Sequence, residues 1–241
     1  MHYKLIVLLF LPIFSLAQEK VLKPKYAEGV VSLSQSNEYF REKPSLDFWV
    51  LNSYYVGQET DSACSLASVT MVMNAIQAVL QTHNDAELIT QEKLIEKVAN
   101  TDWKDATTSD GEGVALDELV EYVKLTLKTY EIPSYQVSVV HVEDVSTASL
   151  LQLRQTLYEN EKNPRNFIIA NFDQGVFTGD DSYGHYAPVA AYDSKRKRVL
   201  ILDPDRDWFE PYWVQDELFM KGLATRTAKK NIARGYIAVK F

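Results

Sequence analysis

Residues 64–80, CSLASVTMVMNAIQAVL, constrain this chain more than any other stretch. Leu66, Val69, Met73, Ile76 and Leu80 recur at spacings of three and four, which predicts a helix with one apolar face turned to a core. The run before it, Gly57 to Ala63, is small and polar, so the helix begins at or just after Cys64. Cys64 is the only cysteine in 241 residues. At a helix N-terminus a thiol meets free backbone N–H groups and the positive end of the helix dipole, both of which favour an anion. A cationic partner would complete an activated thiolate. The plain alternative is a buried small side chain.

Around that helix the chain reads as α+β. Residues 18–35 look like a polar entry arm, Ser36–Arg41 like a short helix, and Ser45–Tyr55 like an aromatic segment packed beside the Cys64 helix. Thr82–Ala86 is a polar break, Thr90–Ala99 a helix, and Thr101–Gly113 a polar loop carrying one large aromatic, Trp103. Val114–Thr129 and Ser149–Glu159 have helical spacing, with an alternating strand at Tyr135–Val142 between them. The short apolar runs Asn166–Phe172, Tyr186–Tyr192 and Arg198–Asp203, bounded by turn signals, read as buried strands, with Asp193–Lys197 as a hairpin. Gly235–Val239 is the last strand. Helices first and an antiparallel sheet afterwards, without strict alternation, exclude a doubly wound fold.

Residues 1–17 stand apart. Lys4 precedes the apolar run Leu5–Leu16, and Ser15 and Ala17 are the small residues of a cleavage site before Gln18. This is the pattern of a secretory leader, too short to span a membrane comfortably. The expectation is therefore a secreted or periplasmic domain over 18–241, with no stable membrane insertion after leader removal. In an oxidising compartment a lone cysteine is less comfortable as filler than in the cytosol. A net charge of −8 argues against nucleic acid as a partner.

Four histidines are present, and His2 lies within the leader. His83 falls in a polar turn and His141 at a strand end, both ordinary surface or edge positions. His185 differs: it follows Gly184 out of a loop and opens a strand of small apolar residues, suiting an active-site base or a structural imidazole. Asp203 ends the next strand, so paired antiparallel strands can bring imidazole and carboxylate together. Gln58, six residues before Cys64, can offer an amide to an oxyanion forming beside the thiolate. Together these make a Cys/His/acid arrangement for thiol acyl transfer. Asp203-Pro204-Asp205-Arg206-Asp207 starts like a calcium loop, but Trp208 and Val214 stand where its glycine and glutamate belong. No zinc pattern and no phosphate-cradling glycine loop are present.

Two blocks carry a family resemblance. One is Gln58-x5-Cys64-x-Leu66-Ala67-Ser68, continuing through Val72-Met73-Asn74-Ala75; the other runs from Gly184-His185-Tyr186-Ala187-Pro188 through Leu200-Ile201-Leu202-Asp203 to Arg206 and Trp213-Val214. Trp103 and the Gly113-Val114 helix start agree more weakly. In order and spacing the chain resembles the phytochelatin synthases, of papain-like fold, and a bacterial short form without the Cys-rich C-terminal domain. The resemblance implies Cys64 as nucleophile, His185 as general acid/base, Asp203 as its orienting partner and Gln58 as oxyanion donor. It also implies substrate contacts from Arg206, Gly184 and Tyr186, and no protein-bound metal. The implied chemistry is attack on the Cys–Gly bond of glutathione or a related γ-glutamyl peptide, leaving a γ-glutamylcysteinyl thioester.

Departures bear on what accepts that acyl group. Ser65 replaces the usual glycine after the cysteine. Asp173–Tyr183 lacks the family's usual Arg and Gly-Gln-Thr-Gly run, and Arg206-Asp207-Trp208-Phe209 stands where plant-like chains read Arg-Phe-Lys-Tyr. Loss of that lysine and tyrosine favours water, hence a hydrolase needing no cofactor. The alternatives are a working synthase making (γ-Glu-Cys)n-Gly with a heavy-metal ion such as Cd or Zn, a non-catalytic thiol- or peptide-binding protein, and a bacteriocin-type peptidase. Oligomeric state stays open, a dimer included.

Overall fold

The computed structural model describes residues 23–81, 87–228 and 230–241. The leader at 1–17, the break at 82–86 and His83 therefore lie outside the described residues. Chain order is β1 (Val30–Ser32), a 3-10 turn, α1 (Tyr39–Glu42), α2 (Leu46–Asn52), α3 (Cys64–Leu80), α4 (Gln91–Val98), α5 (Thr101–Ala106) and α6 (Leu116–Thr129). Then come β2 (Gln136–His141), α7 (Thr147–Glu161), β3 (Asn166–Asp173), α8 (Gln174–Thr178), β4 (Gly184–Asp193), β5 (Arg198–Ile201), β6 (Tyr212–Gln215), α9 (Asp216–Leu223) and β7 (Gly235–Lys240). Seven strands form one antiparallel sheet in the order β1-β6-β5-β4-β3-β7-β2. Mixed helix and antiparallel sheet is the α+β class.

The central strands are apolar on both faces because both faces are covered. Phe167, Ile169, Leu200, Trp213 and Ile237 point into a core shared with α2, α3, α4 and α6. Their neighbours Ile168, Phe172, Val199, Val214 and Tyr236 point into a second core under α7, α8 and α9. This is the period-two rule applied to a sheet buried on two sides. In β4 the pairing register shifts between Val189 and Ala191, a bulge that puts Ala190 and Ala191 in the same core.

Several expectations need correction. Helix α3 does not bury one face: every residue from Cys64 to Ile76 is buried, since α2, α4, α6 and the sheet surround it. Thr101–Gly113 is not all loop. Asn100 caps α5 by accepting the Trp103 N–H at 2.8 Å, and Trp103 is fully buried. The entry arm contributes an edge strand, Val30–Ser32 against Tyr212–Val214. Strand β6 and helices α8 and α9 lie in segments where the sequence pattern predicts no element, while β2 falls between α6 and α7 where alternation places it. The third apolar run stops being strand at Ile201, so Asp203 lies in the following loop.

Asn74 shows how α3 holds the segment after it. Its amide donates to the Ile89 carbonyl (2.8 Å) and accepts the Ile89 N–H (2.9 Å), a buried two-way clamp. Asn74→Ala leaves two buried backbone groups unpaired at about 1–3 kcal/mol each. The urea midpoint of this variant is expected to drop accordingly; a midpoint equal to the parent's would rule the clamp out as a stabilising contact.

Candidate active site

The sulfur is placed by α3. Cys64 is the first helical residue, and Ala63 before it supplies no side-chain cap, so no side chain consumes the N–H groups of the first turn. Ser68 donates both to the Cys64 carbonyl (2.7 Å) and to the Tyr186 carbonyl (3.1 Å), fastening that turn directly to β4. Ser65, the departure from glycine, accepts the Trp103 indole N–H at 3.1 Å, and the Trp103 ring stacks on Tyr122. The preceding loop is pinned as well: Gln91 donates to the Gly57 carbonyl (2.9 Å), and the Gln58 N–H donates to the Pro204 carbonyl (2.8 Å). Segment 57–63 is thereby tied to the loop that carries Asp203.

The register of β4 against β3 sets His185 opposite Phe172. Its Nε2 meets Asp203 Oδ1 at 2.7 Å, and both side chains are buried. Cys64 lies close enough to act on the same imidazole. Burial alone would lower the imidazole pKa. The Asp203 charge and hydrogen bond, followed by those of Cys64, outweigh it and push His185 up to about 10. Burial would raise Asp203, but the charge and hydrogen bond of His185, with the Tyr212 hydroxyl and the Asp205 N–H, hold it below the usual carboxylate value. Both shifts favour the charged form of the pair, imidazolium with carboxylate.

The carboxylate is supported by residues that sequence reasoning missed. Tyr212 donates its hydroxyl to Oδ2 at 2.6 Å, Gln174 its amide to Oδ2 at 3.1 Å, and the Asp205 N–H reaches Oδ1 at 2.9 Å. Tyr55 donates to the Asp203 carbonyl at 2.5 Å. Arg234 was missed too. Its guanidinium lies against Gly184 so closely that a Cβ there would collide with it, its Nε is buried without a partner, and the Cys64 charge acts on it. No sequence signal ties these residues to Asp203 or Cys64; only the sheet order does.

Cys64, His185 and Asp203 are thus brought together. Gln58 lines, with His185, a cavity of about 610 Å³ that also touches Lys25, Asp61, Tyr183 and Trp208. One N–H of the Gln58 amide makes a long bond to the Asp61 carbonyl (3.4 Å), and its Oε1 is buried and unpartnered. Gly184 opens β4 under Arg234, and Tyr186 is buried, giving its hydroxyl to the Val114 carbonyl at 3.2 Å. Arg206 is the exception. It stacks on Tyr55 in a neighbouring shallow depression and does not line the His185 cavity. His141 bridges the Ala233 carbonyl and Asp117 and does not line the His185 cavity. Among the described residues no group of three or more His, Cys, Asp or Glu is arranged to hold a metal.

Comparison with known proteins gives one family: the model described as phytochelatin synthase matches residues 18–236. Two curated relatives are similar. Glutathione gamma-glutamylcysteinyltransferase 3 of Lotus japonicus is 26% identical over 200 residues, covering 80% of this chain and 37% of its own. Glutathione gamma-glutamylcysteinyltransferase 1 of Arabidopsis thaliana is 22% identical over 211 residues, covering 84% of this chain and 39% of its own. The chain thus spans less than two fifths of the length of either relative.

The ion pair has a pH signature. Because folding raises the His185 pKa from its ordinary 6.5, the stability it contributes is complete below about pH 6.5 and lost as pH rises through about 10. An NMR titration of the His185 ring is expected to show an imidazolium persisting well above neutrality. Asp203→Asn removes the main raising charge and leaves burial, so the midpoint should fall towards or below 6.5. A His185 midpoint near 6.5 in the parent protein would contradict the ion pair.

Proposed function

The chain belongs to the phytochelatin synthase family, and on that premise we propose that it is a thiol-dependent acyl-transfer enzyme cleaving the Cys–Gly bond of glutathione or a related γ-glutamyl peptide. Cys64 is the nucleophile: its sulfur attacks the carbonyl carbon of that bond. The oxyanion forms beside the uncapped first turn of α3, with the free N–H of the Gln58 amide as a second donor. His185 passes its proton to the glycine nitrogen, the C–N bond breaks, and γ-glutamylcysteine remains as a thioester on Cys64. Water then attacks, His185 takes a proton from it, and the thiolate is released. Asp203 keeps the imidazole oriented and charged.

The observation that carries this reading is the buried His185–Asp203 pair lying against the only cysteine at an uncapped helix N-terminus. A cysteine helix packed on the strand that bears the histidine also supports a papain-like arrangement for 18–241. Tyr186, Gly184 and Arg234 border the acyl side, where the guanidinium suits a substrate carboxylate. The cavity beyond His185 takes the leaving glycine, because the proton must reach that nitrogen from the imidazole. Hydrolysis is favoured by the carboxylates there, Asp61, Asp180 and Asp205, with Asp180 bound to Lys23. One observation favours the second reading, transfer to another glutathione: Lys25 lies 5.3 Å above the Phe209 ring at the same cavity and offers a cation for an acceptor carboxylate. Only that reading calls on a heavy-metal ion, as the thiolate complex of its substrate.

Export is proposed from the leader pattern of residues 1–17; no helix among the described residues is long and apolar enough to cross a membrane. Intact-mass measurement of protein recovered outside the cytoplasm is expected to give a chain starting at Gln18.

Cys64→Ser is expected to abolish glycine release from glutathione with an unchanged circular dichroism spectrum, and release at the parent rate would refute the thioester route. Gln58→Ala should lower kcat about 10²–10³-fold, the effect of one lost oxyanion donor. Mass spectrometry of products formed with glutathione and Cd or Zn separates the readings: free γ-Glu-Cys and glycine for the hydrolase, (γ-Glu-Cys)n-Gly for the synthase.

A further inference from the structure

The far end of β4 gathers buried charge that the reaction does not use. Tyr192 lies seven residues along the strand from His185, roughly 23 Å at the rise of an extended chain. There the first turn of α2 meets the last turn of α7. Asp47 is 0% exposed and Asn160 4% exposed. Asn160 donates its Nδ2 to Asp47 Oδ2 at 2.6 Å, and the Tyr192 N–H donates to Glu161 Oε2 at 2.8 Å. Each of the three side chains is thus fixed through one atom. The other oxygen of each, Asp47 Oδ1, Asn160 Oδ1 and Glu161 Oε1, is buried with no hydrogen-bond donor.

All three orphans are acceptors. Turning the Asn160 amide over would not help, since its oxygen would then face the Asp47 carboxylate. The neighbouring Tyr39 hydroxyl gives its proton to the Tyr192 carbonyl at 3.2 Å and also acts on the Glu161 carboxylate, leaving Glu161 Oε1 itself without a bond. The charged group acting on Asp47 is Glu161 and the one acting on Glu161 is Asp193, both anionic. Arg196 and Arg198 pair instead with Glu38, Glu42 and Asp193. Buried acceptors without donors cost about 1–3 kcal/mol each, and more when charged. A cation seated at this junction would supply the partner these oxygens lack.

We propose that Asp47, Asn160 and Glu161, at the junction of α2, α7 and β4, form a binding site for a hard divalent cation of the calcium class. Oxygen-only ligands, two of them carboxylates and one an amide carbonyl, are what such an ion takes, with water completing its shell. The set holds no sulfur or nitrogen, so it is unsuited to the soft ions that thiolates capture. The hydrogen bonds on the second oxygen of each carboxylate and on the Asn160 nitrogen orient the ligands, as outer partners do at metal centres. Glu161 is only partly buried and supplies the way in. Without a cation, burial pushes Asp47 well above the usual carboxylate range and Glu161 up to about 7, so the competing occupant is a proton.

The test uses the full chain, stripped with a chelator, then titrated with calcium or terbium. Calcium at about a hundredfold excess over its Kd is expected to raise Tm by about 5–10 °C. Terbium should give luminescence sensitised by the nearby tyrosines. Glu161→Gln and Asp47→Asn should each lose both signals, while the exposed Glu159→Gln keeps them. Glu161→Gln suffices alone if Asp47→Asn does not fold. Millimolar calcium without a Tm shift and silent terbium would overturn the proposal. So would signals that persist in Glu161→Gln, because the ion would then sit elsewhere on the acidic surface.

Discussion

One buried negative charge organises the functional half of this fold. Asp203 has no exposed surface, and an isolated carboxylate in such a place costs several kcal/mol even after relaxation. The fold offsets that cost with an imidazolium and three further donors on the two carboxylate oxygens. Those donors come from β4, β6, α8 and the loop after β5, elements whose positions follow from the sheet order β6-β5-β4-β3. Satisfying the carboxylate therefore fixes the mouth of the site, and it keeps the imidazole charged beside the thiol.

Much of that plan was legible in the sequence, for reasons that differ by element. The start of α3 was visible because small polar residues give way to helical spacing at Cys64. Strands β3, β4 and β5 were visible because a strand buried on both faces reads as an unbroken apolar run. His185 and Asp203 could be paired because antiparallel neighbours joined by a tight hairpin leave little freedom in register. The rest rests on contacts between distant segments. Gln174 and Tyr212 reach Asp203 from elements too short to show a period, and Arg234 reaches Gly184 from the far end of the chain. Arg206 was assigned to substrate on family likeness alone, and the stack on Tyr55 carries its guanidinium into the next depression.

The departures from the family pattern have physical readings in the folded chain. Ser65 adds a hydroxyl that fastens Trp103, and with it α5, to the helix bearing Cys64. The N-terminal arm delivers Lys25 to the Phe209 ring at the cavity that His185 lines. A segment remote in sequence from His185 thus contributes to the same cavity.

The burial of α3 on every side has its own consequence. A surface helix can tilt or fray without disturbing the core it covers, but one enclosed from Cys64 to Ile76 has no soft direction in which to yield. The sulfur inherits that stiffness. Its aim is a property of the whole interior, so a change in volume anywhere along the residues lining α3 is felt at the sulfur.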